Sequence, residues 1–155
     1  MKCLRILAMM AIAVLAGACD KDEPTDPPVE PVTVTDGTYV GTLTVDQNDG
    51  TVYTQENVSI EFETEEGIAT IKMVQVSFSS RMPLKLDMTI PDITAAEAAE
   101  GLSLSGDVIV PLAMGGPFPA YTITGLTGEA TPQAISLEMM CGDYPLTFTG
   151  KIVEE

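Results

Sequence analysis

Hydrophobic and polar residues alternate with a period of two along most of the chain from Val32 onward. In the run 57–63, for example, Val58, Ile60 and Phe62 alternate with polar residues. A period of two is typical of β-strands that bury one face, because successive side chains point to opposite sides of the sheet. The pattern predicts eight strands, at about 37–46, 53–63, 67–78, 84–90, 101–110, 120–129, 133–140 and 145–153.

The same alternation predicts which side chains point inward. Leu84, Leu86, Met88 and Ile90 share one parity in the fourth predicted strand. In and after the fifth predicted strand, the even-numbered positions are mostly apolar, whereas the odd-numbered positions include Ser103, Ser105 and Asp107. We therefore expect the apolar set to face the core, namely Leu102, Leu104, Val108, Val110 and Leu112.

One predicted strand contains a break in the alternation. Ile71 and Met73 have one parity, whereas Val74, Val76 and Phe78 have the other. A slip of one residue is what a β-bulge produces, because two residues on one strand then oppose one on its partner. The sequence predicts a bulge near Met73.

A short alanine-rich segment predicts the only helix. Thr94 and Glu97 have the spacing of a capping box, and Gly101 suits the position just after a helix. We expect one or two helical turns over residues 94–101.

Short connections rich in turn residues join the predicted strands, as in the segments 47–50 and 65–67. Such connections are typical of β-hairpins, and consecutive hairpins make a meander. Closing the meander into a barrel removes its unpaired edges. The expected fold is all-β, a single antiparallel eight-stranded barrel with one short helix. A two-sheet β-sandwich stays open as the alternative, because periodicity does not separate the two.

The first nineteen residues have the pattern of an export signal. Lys2 and Arg5 precede an apolar run from Ile6 to Leu15, which is shorter than the roughly 20 residues that span a bilayer. The small residues leading into Cys19 resemble the lipobox of bacterial lipoproteins. That resemblance implies that residues 1–18 are a signal peptide and that Cys19 carries the lipid that anchors the protein to a membrane. A secreted protein with an incidental Cys19 is the alternative.

Residues 19–31 follow as a tether. Four prolines and five acidic residues lie between Asp20 and Pro31, without hydrophobic periodicity. A proline-rich segment is extended at about 3.1 Å per residue, so this one spans up to about 37 Å. Acidic residues directly after Cys19 resemble the signal that sends lipoproteins of the Bacteroidota to the outer face of the outer membrane. We expect a surface-exposed outer-membrane lipoprotein whose folded domain is 32–155, with a periplasm-facing location as the alternative.

Several short motifs of the domain occur in an order that is characteristic of a known family. They are the segments 38–45, 55–58, 82–84, 90–93, 102–106 and 146–150. Together they resemble the calycin-like β-barrel lipoproteins of gut Bacteroidota, which implies a lipocalin-related barrel in the cell envelope and transfers no catalytic or binding residue. Lipocalins carry Gly-x-Trp in the first strand and a late Arg packed over the Trp. Here Gly37-Thr38-Tyr39 and Lys151 stand in those places, so a lipocalin-style pocket is less expected than the barrel.

Composition excludes several classes of function. The formal charge of −16 argues against nucleic acid, because phosphate contacts need clustered Lys and Arg. Histidine and tryptophan are absent, so His-based acid–base catalysis, His-ligated metals and the common catalytic triads are excluded. Cys141 is the only cysteine beyond Cys19, and we expect a buried, inert thiol. The sequence predicts a protein that is not an enzyme and needs no cofactor or metal.

The most unusual loop is Met114 to Ala120, which combines Gly, Pro and Phe. Met114, Phe118 and Tyr121 are weak candidates for ligand contacts at a barrel mouth. The alternative is that Phe118 tucks into the barrel end. Six Met and eight Phe or Tyr of the domain either line a cavity or fill it.

Two acidic segments are weaker candidates. Asp46 to Gly50 with Glu56 suggests a calcium loop, but its spacing differs from that of an EF-hand, and Asp49-Gly50 predicts a hairpin turn. Glu61, Glu63, Glu65 and Glu66 predict a solvated acidic rim.

The leading hypothesis is a lipid-anchored envelope barrel that binds a small apolar or amphipathic ligand and has no catalytic activity. The alternative is a solid-core structural or protein-interaction lipoprotein with an acidic outer face, whose protein partner the sequence does not identify.

The first prediction concerns the anchor. Cys19→Ala removes the thiol that accepts the acyl chains, and stable anchoring needs more than one such chain. We expect the variant to leave the membrane fraction, as measured by fractionation and immunoblotting. Unchanged membrane partition would refute lipidation at Cys19.

Overall fold

The computed structural model describes residues 32–154. The predicted signal peptide 1–18 and the predicted tether 19–31, with Cys19, lie outside the described residues. Val32–Glu155 form one compact unit. Its core and its sheet involve only residues from Val34 to Ile152, so we expect this unit to fold without the preceding segment.

Within the described residues, ten antiparallel strands form one sheet. They are β1 (Gly37–Asp46), β2 (Val52–Glu65), β3 (Ile68–Val76), β4 (Leu86–Ala98), β5 (Gly101–Gly106), β6 (Leu112–Ala113), β7 (Gly116–Pro117), β8 (Ile123–Ala130), β9 (Ala134–Cys141) and β10 (Tyr144–Ile152). The order is β3-β2-β1-β10-β9-β8-β5-β4-β6-β7, and β3 also pairs with β4. That last pairing closes an eight-stranded barrel, which confirms the predicted architecture and excludes the two-sheet alternative.

The two short strands β6 and β7 do not add to the ring. β4 pairs with β5 from Thr94 to Ala98 and with β6 at Met88 and Thr89. β5 and β6 therefore occupy one position of the barrel, interrupted at residues 107–111. β7 forms a hairpin with β6 outside the ring.

Inward side chains from all eight positions fill the barrel. Tyr39, Phe62 and Phe148 are among the largest fully buried residues. The rings of Tyr39 and Phe62 meet edge to face, with centroids 6.2 Å apart. The hydroxyl of Tyr39 donates a hydrogen bond of 2.9 Å to the carbonyl oxygen of Thr131, so the one polar atom of this large side chain is satisfied.

Two paired glycines allow close packing in the barrel wall. Gly41 and Gly150 are opposite each other on β1 and β10. A Cβ on Gly150 would lie 2.8 Å from the Phe148 ring, and a Cβ on Gly41 would overlap the backbone of Thr149. Gly150 therefore leaves the space that the Phe148 ring occupies, and Gly41 allows the backbone of β10 to approach closely.

The predicted bulge is confirmed. The pairing of β3 with β4 shifts register between Met73 and Val76, and Gln75 has a φ of 52°. Ile71, Met73, Val76 and Phe78 are buried, so the inward parity changes at the bulge.

The predicted helix is wrong. Thr94–Ala98 continue β4, and Ala95 is buried in the core. The segment pairs with β5, and Thr94 pairs with Ile68 of β3, so the sheet satisfies its backbone groups. A helix of two turns is marginal without such tertiary support, so pairing overrides the alanine-rich composition.

The predicted inward set of the fifth strand is also partly wrong. Leu104 is buried as expected, but Val108, Val110 and Leu112 are exposed, and Ile109 and Ala113 are buried instead. Val108 has a φ of 56°, which turns the chain and moves the inward parity by one residue. Leu84 is exposed as well, because β4 begins only at Leu86.

The two ends of the barrel differ in their connections. The short-turn end has the tight connections 66–67, 99–100 and 131–133, and the chain enters there, where Val34 packs on the core. The loop end has the connections 47–51, 77–85, 107–122 and 142–143. The predicted site residues Met114, Phe118 and Tyr121 lie at the loop end.

The second prediction tests the tight packing at the glycine pair. Gly41→Val would overlap the Thr149 backbone, so we expect a loss of at least about 3 kcal/mol in the free energy of unfolding, at the upper end of overpacking effects. Val40→Ala, one residue away on the outer face, is the matched control and should change it by less than about 1 kcal/mol. Urea denaturation measures both, and equal stability of the two variants would contradict the packing described.

Candidate functional site

An aromatic stack covers the barrel mouth at the loop end. Phe118 stacks on Tyr121, with ring centroids 5.2 Å apart and planes at 24°. Tyr121 in turn contacts Phe78, with centroids 5.0 Å apart and planes at 37°. Phe78 is buried in the core, whereas Phe118 and Tyr121 are half-buried above it. Phe78, and not Phe118, therefore fills the end of the barrel.

Hydrogen bonds hold the Phe78 segment in place. The backbone N–H of Phe78 lies 3.1 Å from the sulfur of Met82, and its carbonyl accepts a bond of 2.9 Å from the Gln47 side chain. The N–H of Ser77 donates to the Gln55 side chain at 3.0 Å. These contacts tie the loop 77–82 to β2 and to the β1–β2 connection, so the mouth is closed by an ordered loop.

Met114 is not part of the aromatic stack. It lies at the tip of the β6–β7 hairpin, where both Met114 and Gly115 have positive φ. Its side chain is exposed to solvent. The structure thus brings two of the three predicted contact residues, Phe118 and Tyr121, together and places the third outside. Their role in ligand binding stays a prediction.

Buried side chains occupy the interior where a ligand was expected. Met73, Met88 and Met139 belong to the core cluster. Five depressions of the described surface have volumes between ≈ 220 and ≈ 590 Å³, and outward-facing residues dominate their linings. One of ≈ 500 Å³ lies on the outside of β1, β10, β9 and β8, between Lys151 and Glu129. None of the five is lined by Tyr39, Phe62 or Phe148.

The acidic segment from Asp46 to Gly50 forms a turn, and the acidic residues from Glu61 to Glu66 lie on the surface. A side-chain oxygen of Asp46 accepts a bond of 2.8 Å from the Asn48 N–H, and Asp49 accepts one of 2.9 Å from the Thr51 N–H. The segment joins β1 to β2, so the predicted hairpin turn is confirmed. Glu61 pairs with Lys72 at 3.0 Å. Within residues 32–154, no group of three or more Cys, Asp or Glu is arranged to hold a metal ion.

Cys141 is a buried thiol beneath Tyr121. Its sulfur lies 4.0 Å from the Tyr121 carbonyl oxygen. Burial raises the pKa of Cys141 to about 12. The predicted burial of this thiol is confirmed, and at neutral pH it is protonated; its inert character stays a prediction.

Tyr39 and Lys151, the residues at the positions compared with lipocalins, point to opposite faces of the barrel wall. Lys151 is opposite Val40 on the outer face of the barrel and is exposed. Tyr39 points into the core and bonds to Thr131 instead. Lys151 therefore does not pack over the Tyr39 ring.

Sequence reasoning missed the apolar surface of the loop end. Of the ten large hydrophobic residues that are exposed between residues 32 and 154, seven lie there. They are Val52, Leu84, Val108, Val110, Leu112, Met114 and Tyr144. The continuous apolar run 108–114 was the signal in the sequence, because a strand with one wet face alternates.

Comparison of the chain with family models, with curated proteins and with solved structures finds no match. Among the residues that the structure describes, no helix has the length and hydropathy of a membrane span.

The third prediction follows from the Cys141 thiol. An exposed thiol ionises near a pH of about 8.5, whereas the folded protein keeps Cys141 protonated up to a pH of about 12. Unfolding therefore releases a proton in this window, so stability falls as pH rises, with a slope that approaches about 1.4 kcal/mol per pH unit.

Cys141→Val is the matched control for this prediction. It removes the thiol and leaves Tyr39 and Tyr121, whose pKa values burial also raises and which contribute a similar loss at higher pH. Urea denaturation between pH values of about 8.5 and about 10 should give a shallower slope for the variant. Equal slopes would show that Cys141 ionises in the folded state as it does in the unfolded chain.

Proposed function

We propose that this protein is a solid-core interaction module of the cell envelope, without catalytic activity, which contacts a protein partner through its loop end. The observation that carries the proposal is the filled interior, sealed at its mouth by Phe78 and Tyr121. The proposal takes the barrel to be of the calycin-like type and the chain to be a lipoprotein of the outer membrane, facing outward and anchored through Cys19.

The filled interior favours contact at the surface over storage of a ligand. Small-molecule sites are usually concave and have volumes of roughly 300 Å³ or more. In this barrel the corresponding space holds Tyr39, Phe62 and Phe148. The ordered loop 77–82 supports the same conclusion, because a ligand entering from the loop end would have to displace it.

The distribution of apolar side chains favours the loop end as the contact surface. Outward positions on β1, β10, β9, β8 and β5 are mostly Thr, Ser and Glu. Exposed large hydrophobic residues are instead concentrated at the loop end. Exposed apolar patches with a polar surround are typical of protein contact sites.

The entry point of the chain is compatible with an anchored module. The domain begins at the short-turn end, so a tether that joins it at Val32 leaves the loop end on the opposite side of the barrel. An extended tether of about 37 Å would allow the loop end to reach a partner away from the lipid surface.

Charge defines the general chemistry of the partner. The described residues contain four Lys or Arg and seventeen Asp or Glu, which gives a net charge of 4 − 17 = −13. A surface of one sign steers partners of the other sign during association. We expect the partner to be basic where it meets the barrel.

The fourth prediction tests contact through the loop end. A photo-cross-linking amino acid is placed at Leu84 or at Val52 in the full-length lipidated protein in its own cells, and at Thr149 as the control. Leu84 and Val52 are exposed at the loop end, and Thr149 is exposed on the outer face of β10. We expect discrete cross-links to a protein from the loop end alone. The absence of loop-end products, or equal products from Thr149, would contradict the proposal.

The same proposal excludes a retained small molecule. Native mass spectrometry of residues 20–155 should give the mass of the chain alone. A retained ligand that exchanges on adding an apolar competitor would favour the small-ligand function instead.

A further inference from the structure

The segment 108–114 carries apolar side chains on both faces. Its sequence is Val-Ile-Val-Pro-Leu-Ala-Met, and we call it the apolar arm. Ile109, Pro111 and Ala113 are buried against the barrel. The alternate residues Val108, Val110, Leu112 and Met114 are 69%, 40%, 44% and 80% exposed. Strands with apolar residues on both faces are usually covered on both faces, and this one is covered on one.

The apolar arm is held rigidly on the barrel. Ile109 and Ile123 exchange two backbone hydrogen bonds, of 2.9 and 2.7 Å. The Phe118 N–H donates to the Pro111 carbonyl at 2.8 Å, and Leu112 pairs with Thr89 of β4. A surface that is ordered before binding loses little conformational entropy on association. The exposed side chains are therefore presented in a fixed arrangement.

Fixed carboxylates lie near both ends of the arm. Asp107 directly precedes it and accepts a bond of 3.0 Å from the Gly125 N–H. Asp87 accepts bonds of 2.8 and 3.1 Å from Gln75, which lower its pKa. Asp87 also lines a depression of ≈ 440 Å³ with Leu112 and Met114. The arm is thus an apolar strip between two anchored negative charges.

One cation lies near Asp87. Lys72 is close enough to lower the pKa of Asp87 but is paired with Glu61, and Lys85 precedes Asp87 by two residues in the sequence. Lys72 therefore partly offsets the charge at the Asp87 end. Asp107 has no such neighbour within two residues in sequence, and the described domain as a whole keeps its net charge of −13.

The charge and the shape of the arm determine which kind of partner can bind to it. A second copy of the barrel carries the same charge of −13, which opposes self-association through this surface. Strand addition is disfavoured, because the outer strand β7 has two residues and one of them is Pro117, which lacks an N–H. A segment with apolar residues on one face and cations beside them complements both the strip and its carboxylates.

We propose that the apolar arm is the docking site for a cationic amphipathic polypeptide segment. Its apolar side chains lie against Leu112 and Met114, and its Lys or Arg side chains pair with Asp107 and Asp87. The inference rests on the proposed interaction function and specifies the surface and the partner class.

The test titrates residues 20–155 with a peptide of about 18 residues of Leu and Lys in an amphipathic helical pattern, about five turns long. The matched probes are a Leu and Glu peptide of the same pattern and a Leu and Lys peptide whose scrambled order removes the apolar face. Binding is followed through the ¹³C-methyl signals of the methionines. Met114 should shift with the first probe alone, whereas Met140, half-buried on the outer face of β9, should not.

Two sets of variants separate apolar from charge contacts. Leu112→Ser should weaken binding by about fivefold or more, whereas Val52→Ser, also exposed at the loop end but outside the arm, should not. Asp107→Asn keeps an oxygen that accepts from Gly125 and removes the charge. It should weaken binding and flatten its dependence on salt. Circular dichroism checks that each variant is folded.

The outcomes distinguish this inference from the function on which it rests. Equal shifts of Met114 with the acidic and the cationic peptides, or shifts spread over Met140, would overturn the arm as a site for cationic partners. Self-association that Leu112→Ser abolishes would assign the arm to a second copy instead and would likewise overturn it. In either case the loop-end cross-links from Leu84 would still support an interaction module, and their absence would remove the function itself.

Discussion

The pairing of β3 with β4 is the constraint on which the rest of the structure depends. It closes the sheet into a ring, and closure with eight positions fixes the width of the interior. Phe148 lies over Gly150, where a Cβ would come within 2.8 Å of its ring, and Tyr39 and Phe62 are also fully buried in that interior. Gly41 faces Gly150 and allows the close approach of the Thr149 backbone. Closure and glycine placement together determine how the large rings pack in the core.

The two ends of the barrel are built differently. The short-turn end uses tight connections, and its entering segment packs Val34 on the core. The loop end has longer connections, which position Phe78, Tyr121 and Phe118 in a stack over the mouth. The same connections expose Leu84 and Met114. The two ends therefore differ in chemistry although one sheet runs through both.

Most of the fold could be predicted from the sequence because nearly every strand has one face exposed to solvent and the other buried. Alternation then marks each strand, as it does for Val58, Ile60 and Phe62, and a slip marks the bulge at Gln75. The helix over 94–101 could not be judged by local signals, because Thr94 pairs not only with the neighbouring strand β5 but also with Ile68 of β3, which is 26 residues away in the sequence. Local propensity and tertiary pairing compete there, and pairing prevails.

The site was harder to predict than the fold, for two reasons. The alternation of residues indicates which side chains point inward only while φ stays negative and the strand is continuous. Val108 has a positive φ and lies beyond the end of β5, so neither condition holds there. The loop 114–120 has the most unusual composition, which favours Phe118 as the residue at the barrel end, whereas Phe78 occupies that position. Phe78 follows the bulge of β3. Its position depends on a hydrogen bond that the Gln47 side chain donates to its carbonyl and on one that the Ser77 N–H donates to the Gln55 side chain, and sequence spacing indicates neither.

The interruption between β5 and β6 produces both the aromatic stack over the barrel mouth and the exposed apolar arm. Between the pairs Thr94–Ser105 and Met88–Ala113, six steps along β4 correspond to eight along the segment from β5 to β6. The two extra residues let the chain turn at Val108, which brings Ile109 into the core and leaves Val108, Leu112 and Met114 outside. The same segment then returns through Phe118 and Tyr121 over the mouth. A continuous fifth strand would remove the arm and would also leave the barrel end without its aromatic stack. The exposure of the arm is therefore built into the way this barrel is closed.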